Sequence, residues 1–223
     1  MENNKIRIAL DGPSGAGKST VAKALAASLG LIYVDTGALY RTVGLYMARH
    51  GIGAYDTDSI IRALPEIRIT LAYEDGTQIV YLNGENVGMS IRTEEASYYA
   101  SAVSKIPEVR AFLLKTQRDI ASNGGVIMDG RDIGTVIMPD AEVKIFLTAT
   151  AEERARRRFR EQREKGIDIS YEDVLASIIA RDKQDSELDT APLKPADYAI
   201  VLVNDGYSLD ETVEKVKEIV LAE

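Results

Sequence analysis

The sequence has no cysteine and a single histidine, His50, among its 223 residues. Without a thiol there is no disulfide framework, no thiolate metal site and no cysteine nucleophile. One imidazole cannot build a multi-histidine metal site. A Ser-His-Asp triad would rest wholly on His50, which stands between Arg49 and Gly51 as an exposed helix-end residue would. Positive charge is in deficit: 27 Lys and Arg against 35 Asp and Glu leave a net charge of −8. Such a chain is a poor general binder of nucleic acid or of anionic membranes, although locally gathered cations still serve small anions. No apolar run approaches the ~20 residues that span a bilayer. Ile6–Leu10 is interrupted by Arg7, and Met1–Lys5 has no signal-peptide pattern. These absences predict a soluble, cytoplasmic protein. No sustained heptad or long apolar patch stands out, so a monomer is expected.

What is present reads as an ordinary globular chain, 45% apolar and 28% charged. Its length suits one core with a modest insertion. Ile6–Leu10, Leu31–Val34, Val126–Met128, Val143–Leu147 and Ala199–Val203 are short apolar runs bounded by Gly, Pro or Asp, as buried parallel strands are. Helical spacing follows the first run at Val21, Leu25 and Leu29, with Gly30 as the stop. Further helices are predicted over Ala38–Arg49 and Leu209–Leu221. Strands alternating with helices predict an α/β fold with a central parallel sheet flanked by helices. One stretch departs from this. Ile67–Tyr73 and Gln78–Leu82 alternate in polarity, and Glu74-Asp75-Gly76-Thr77 and Asn83-Gly84-Glu85 carry hairpin turn signals. They predict a small antiparallel insertion at about residues 63–90.

Gly12-Pro13-Ser14-Gly15-Ala16-Gly17-Lys18-Ser19 matches G-x-x-x-x-G-K-[ST] and lies between a predicted strand and a predicted helix. Glycines let such a loop turn its backbone N–H groups toward phosphates, and the helix that follows directs its positive end at the anion. Lys18 supplies a full charge for the β- and γ-phosphates, and the Ser19 hydroxyl can ligate Mg²⁺. Residues 12–20, ending with Thr20, are the candidate ATP site.

A GTPase would need D-x-x-G and N-K-x-D segments, and neither string occurs. A hydrolytic ATPase would place Glu after the apolar strand, whereas Val126-Ile127-Met128 leads into Asp129-Gly130-Arg131-Asp132. A kinase instead excludes water and binds an acceptor. Asp129 at a strand end suits Mg²⁺ and its waters, Arg131 suits a phosphate, and Asp132 can accept from a base. Thr36, Tyr40 and Arg41 follow the second strand. Thr36 capping a helix beside a surface Arg41 is the plainer alternative. Six of the ten residues from 154 to 163 are arginine. On a helix Arg154, Arg157 and Arg158 share a face and could deliver charge to a transferring phosphoryl group. A solvated helix with Glu153–Arg157 and Glu161–Lys165 pairs is the alternative, kept for Arg156, Arg160 and Arg163. Arg181 and Asp185 share a face at i, i+4, which also fits a simple intrahelical pair. Arg110 is similarly open.

Asp11–Thr20, Asp35–Arg41, Ile91–Glu94, Asp129–Thr135, Val143–Leu147, Glu153-Arg154, Arg181-Asp182 and Ala191–Leu193 together resemble the bacterial cytidylate kinases, nucleoside monophosphate kinases with a P-loop fold. The combination of D-T-G-A-L-Y-R with D-G-R-D-I-G-T carries most of the specificity. The resemblance implies phosphoryl transfer from ATP to CMP or dCMP with Mg²⁺ held by Ser19 and, through water, Asp129. It implies a CMP site of Thr36, Tyr40, Arg41, Arg110, Arg131, Asp132, Arg181 and Asp185, and catalytic roles for Lys18, Arg131, Arg154, Arg157 and Arg158. It implies a single P-loop domain over residues 1–223, with a core at about 1–62 and 100–223, a CMP-binding insertion at about 63–99 and a short Arg-rich lid at about 150–168. Where the family carries an arginine three residues after Asp185, this chain has Leu188. UMP or a small non-nucleotide metabolite is the alternative acceptor.

Overall fold

The computed structural model describes residues 5–74, 77–188 and 190–222. In chain order the elements are β1 (Arg7–Asp11), α1 (Lys18–Leu29), β2 (Ile32–Asp35), α2 (Thr36–Arg49), α3 (Thr57–Ala63), β3 (Ile69–Glu74), β4 (Thr77–Leu82), β5 (Glu85–Asn86), α4 (Glu94–Val103), α5 (Pro107–Ala121), β6 (Val126–Gly130), β7 (Val143–Thr148), α6 (Ala151–Glu164), α7 (Tyr171–Ser186), β8 (Ile200–Val203) and α8 (Leu209–Ala222). They fall into two compact units, Met1–Leu31 with Gly125–Glu223, and Ile32–Gly124. None of the described helices is long and apolar enough to cross a membrane.

In the first unit, β6, β1, β7 and β8 lie side by side in that order and run parallel. The short apolar runs are buried as such strands must be: Ile8, Leu10, Ile127, Met128 and Ile145 are fully buried. Arg7, which interrupts the first run, is accommodated at the margin, where Asp140 and Glu142 hold its guanidinium. The register sets Leu10 opposite Asp129 and Asp11 opposite Gly130. The carboxyl ends of β1 and β6 therefore open at one level, where ligands bind in parallel α/β sheets. Helix α1 packs on β6 and α8. Helices α6 and α7 form a hairpin with its own small core of Ala155, Val174 and Ile178, and Phe159 sits edge-on to Tyr171.

The second unit holds the antiparallel sheet β3-β4-β5. Pairing runs from Ile69 with Leu82 to Glu74 with Thr77, as the two alternating stretches predict. The Asp75-Gly76 turn signal lies outside the described residues. At the second turn Asn83 (φ 50°) and Gly84 (φ 88°) both take left-handed backbone, the reason Asn-Gly serves two-residue hairpins. Leu39, Val43 and Met47 of α2 join Ile60, Val80, Leu82, Val103 and Leu113 in one buried core. Helix α2 can approach α4 because Gly44 has no side chain: a Cβ there would stand 2.7 Å from the Tyr99 Cβ. Helices α2, α3 and α5 share this core with the small sheet.

Candidate active site

The chain leaves β1 through Gly12 (φ 149°), where an added Cβ would lie 1.9 Å from the Leu147 carbonyl oxygen. Only glycine lets the loop start so close to β7. The loop ends at Gly17 (φ 88°), which precedes α1 without a side-chain cap. Three loop carbonyls between these glycines are held by side chains. Pro13 O accepts from Lys18 Nζ at 2.8 Å, Ser14 O from Arg154 Nη1 at 3.0 Å, and Ala16 O from Asn204 Nδ2 at 3.1 Å. In a trans peptide the N–H points opposite to the carbonyl. Fixing these carbonyls therefore turns the N–H groups of Ser14, Gly15 and Gly17 away from the donors. Ser19 and Thr20 lie exposed in the first turn of α1.

Lys18 is buried, and burial lowers its pKa to about 7, helped by the positive charges of Arg131 and Arg181 and opposed by Asp129 and Asp11. The positive charges of Arg131 and Arg181 thus reach the loop lysine, an environment that an arriving polyphosphate would relieve. The Ser19 hydroxyl donates to Asp129 Oδ2 at 2.6 Å. A hydroxyl beside one carboxylate is the protein donor set Mg²⁺ takes when substrate phosphates supply further oxygens, so these residues fit that ion.

Asp11, the last residue of β1, is fully buried, and its two oxygens accept from Ile133 N at 2.8 Å and Gly134 N at 2.7 Å. Burial pushes its carboxyl up to about 6, against the two N–H donors. The bonds anchor the segment after β6, a single π-helical turn at Ile133–Ile137 closed by Met138 N donating to Ile133 O, and so fix Arg131 and Asp132 at the strand end. Arg131 Nε donates to Asp185 Oδ2 at 2.8 Å. Asp185 on α7 therefore has a partner beyond its own helix, and Asp132 and Asp185 are both buried.

The arginine-rich segment forms α6 as predicted, and the Glu153–Arg157 and Glu161–Lys165 pairs are present. Its arginines diverge in role. Arg154 is buried: Nε donates to Ala149 O, Nη1 to Ser14 O and Asp182 Oδ1, and Nη2 to Asp182 Oδ2. These contacts hold its guanidinium against the Ser14 carbonyl of the loop. Arg157 contacts Asn204 as well as Glu153, and Arg158 is exposed.

In the second unit, Asp35 caps α2 by accepting from Ala38 N at 3.0 Å, so the cap is Asp35 and not Thr36. Strand β2 runs directly into the helix, and one residue serves both. Thr36 is buried at the helix start. Arg41 Nη2 donates to Asp35 Oδ2 at 2.6 Å, lying where a Cβ on Gly37 would crowd it at 3.0 Å. Gln78 of β4 grips the backbone of Asp35 on both sides, accepting from its N–H and donating to its carbonyl. The small sheet thereby sets the corner that carries Thr36, Tyr40 and Arg41. Arg110 lies over the Tyr40 ring, 5.8 Å from its centroid, an arrangement worth roughly 0.5–2 kcal/mol. His50 ends α2, stacked on Tyr46, as the helix-end reading predicts.

The family model for cytidylate kinase matches residues 8–222. The chain is 51% identical over 215 residues to the cytidylate kinase of Caldicellulosiruptor bescii, covering 96% of this chain and 95% of that one. It is 49% identical over 214 residues to the cytidylate kinase of Thermosipho melanesiensis, covering 96% of each. Among solved structures it resembles an uncharacterized protein from Eubacterium ventriosum with a TM-score of 0.54, over 98% of this chain and all of that one, at 12% identity, a likeness of fold alone.

Proposed function

The chain belongs to the cytidylate kinase family, and from that membership we propose that it transfers the γ-phosphoryl group of ATP to CMP and dCMP, giving ADP with CDP or dCDP. The phosphate loop itself carries the reading, with Lys18 Nζ 2.8 Å from Pro13 O and the Ser19 hydroxyl 2.6 Å from Asp129 where β1 and β6 end together: such a cradle suits a polyphosphate. The CMP phosphate oxygen forms the new bond to Pγ while the bond from Pγ to the bridging oxygen of ADP breaks. The acceptor is already an anion, so positioning and charge do most of the catalysis.

In this reading residues 12–20 bind ATP, with Lys18 on the β- and γ-phosphates. Ser19 and Asp129 would hold Mg²⁺, which when bound neutralises phosphate charge. Thr36, Tyr40, Arg41, Arg110, Arg131, Asp132, Arg181 and Asp185 bind CMP. Arg131 and Asp185 hold each other at 2.8 Å, so each presents its remaining polar atoms in a fixed direction. Within the short Arg-rich lid at about 150–168, the first turns of α6 stay held to the loop by Arg154 and Arg157, and the exposed Arg158 supplies charge to the transferring group as the remainder closes and expels water. Asp132→Ala tests the acceptor half: KM for CMP rises more than KM for ATP. Equal losses for both substrates would make Asp132 structural.

A further inference from the structure

One side chain that holds the phosphate loop lies far outside the loop motif. Asn204 follows β8 directly and is 2% exposed. Its Nδ2 donates to Ala16 O at 3.1 Å. Its Oδ1 accepts from Arg157 Nη1 at 3.2 Å, and its backbone carbonyl accepts from Arg157 Nη2 at 2.7 Å. With an acceptor on one side and a guanidinium on the other, only one orientation of the amide satisfies both. The backbone is equally fixed, since Asn204 N donates to Thr148 O at 2.8 Å and extends the β7–β8 pairing. The next residue, Asp205, accepts from both Thr150 N and Thr150 Oγ1 and ties the start of α6 to the same corner.

We infer that Asn204 is a positioning residue for the phosphate loop: it relays Arg157 of α6 to the Ala16–Gly17 peptide and so aims the Gly17 N–H at the nucleotide. Arg157 then acts through Asn204, while Arg154, three residues earlier on the same helix, reaches the Ser14 carbonyl directly. Helix α6 thus braces two loop peptides from behind. The buried Ala16 carbonyl has its donor before any nucleotide arrives, and the loop is spared the cost of ordering at the moment of binding. This inference rests on the reading of residues 12–20 as the ATP site.

The test is equilibrium titration of the full chain with a fluorescent ADP analogue, without acceptor, together with KM for CMP. Asn204→Asp keeps the acceptor for Arg157 but removes the donor and sets an oxygen against the Ala16 carbonyl. Asn204→Ala removes both side-chain groups and leaves Arg157 only the backbone carbonyl, without burying a charge, which covers the case in which the aspartate variant does not fold. Nucleotide affinity should fall by about 10-fold or more, the scale of one buried hydrogen bond left unmade, with KM for CMP within about 2-fold. In a double-mutant cycle, Arg157→Met should add little once Asn204 is alanine. Nucleotide affinity unchanged in both Asn204 variants, or fully additive effects of Arg157 and Asn204, would overturn the inference and leave the ATP-site reading standing. A wild-type chain that does not bind the ADP analogue would overturn that reading and this inference with it.

Discussion

Asp182→Ala should destabilise the protein well beyond what a surface ion pair contributes. Arg154 has 5% side-chain exposure and Asp182 29%, and the pair is bidentate. Removing one partner of a buried pair costs roughly 3–5 kcal/mol, because the other charge stays buried without compensation. Here the guanidinium keeps two carbonyl acceptors, Ala149 O and Ser14 O, and water can enter where Asp182 stood. The expected loss is therefore about 2–3 kcal/mol, which for a chain of this size lowers Tm by roughly 4–12 °C. Urea unfolding followed by circular dichroism reads the difference. Arg154→Lys should not restore stability in place of Arg154, since an ammonium cannot reproduce the fork to Asp182 and the contacts to two carbonyls. A loss below about 0.5 kcal/mol, or one that disappears in high salt, would show a screened surface pair and refute the reasoning.

Lys18→Ala should lower kcat at least ~100-fold, the scale of one electrostatic stabiliser; near-normal turnover in the coupled assay would remove Lys18 from the donor site. Asp132→Ala should raise KM for CMP with less change for ATP, as steady-state kinetics with each substrate varied would show. Asp11 makes stability depend on pH. Its carboxyl is pushed up to about 6 by burial, so the folded protein holds that proton more tightly than the unfolded chain. The contribution is fully present below the ordinary carboxylate pKa and is lost as pH rises through about 6. Relative to Asp11→Asn, the wild type should lose about 1 kcal/mol between about pH 5 and pH 7. A difference between the two proteins that stays constant over this range in urea unfolding would contradict the assignment.

The loop from Gly12 to Ser19 was legible because its function needs glycines and a lysine at fixed spacing, and the Asn83-Gly84 hairpin because its backbone needs left-handed residues. The parallel strands were legible as short apolar runs. The positioning contacts were not. Asp11 reaches 122 residues ahead to Ile133, Arg154 reaches back 140 to Ser14, and Asn204 reaches back 188 to Ala16. Each has an ordinary local reading: a strand-end carboxylate, a charged helix, a polar residue after a strand. The helix cap misled because β2 ends on Asp35, which itself caps the helix that begins at Thr36, so the strand-end and cap signals fall on one residue. The arginine face of α6 was visible as spacing, but which arginine is buried depends on α7 packing against it, and no periodicity within α6 encodes that.

Transfer to CMP is read out by ADP release with MgATP and each of CMP, dCMP, UMP, AMP and GMP in turn. Fast turnover is expected with CMP and dCMP and none with the purine monophosphates, with Leu188 a tolerated change. Preference for another acceptor, or ADP release without any acceptor, would contradict it.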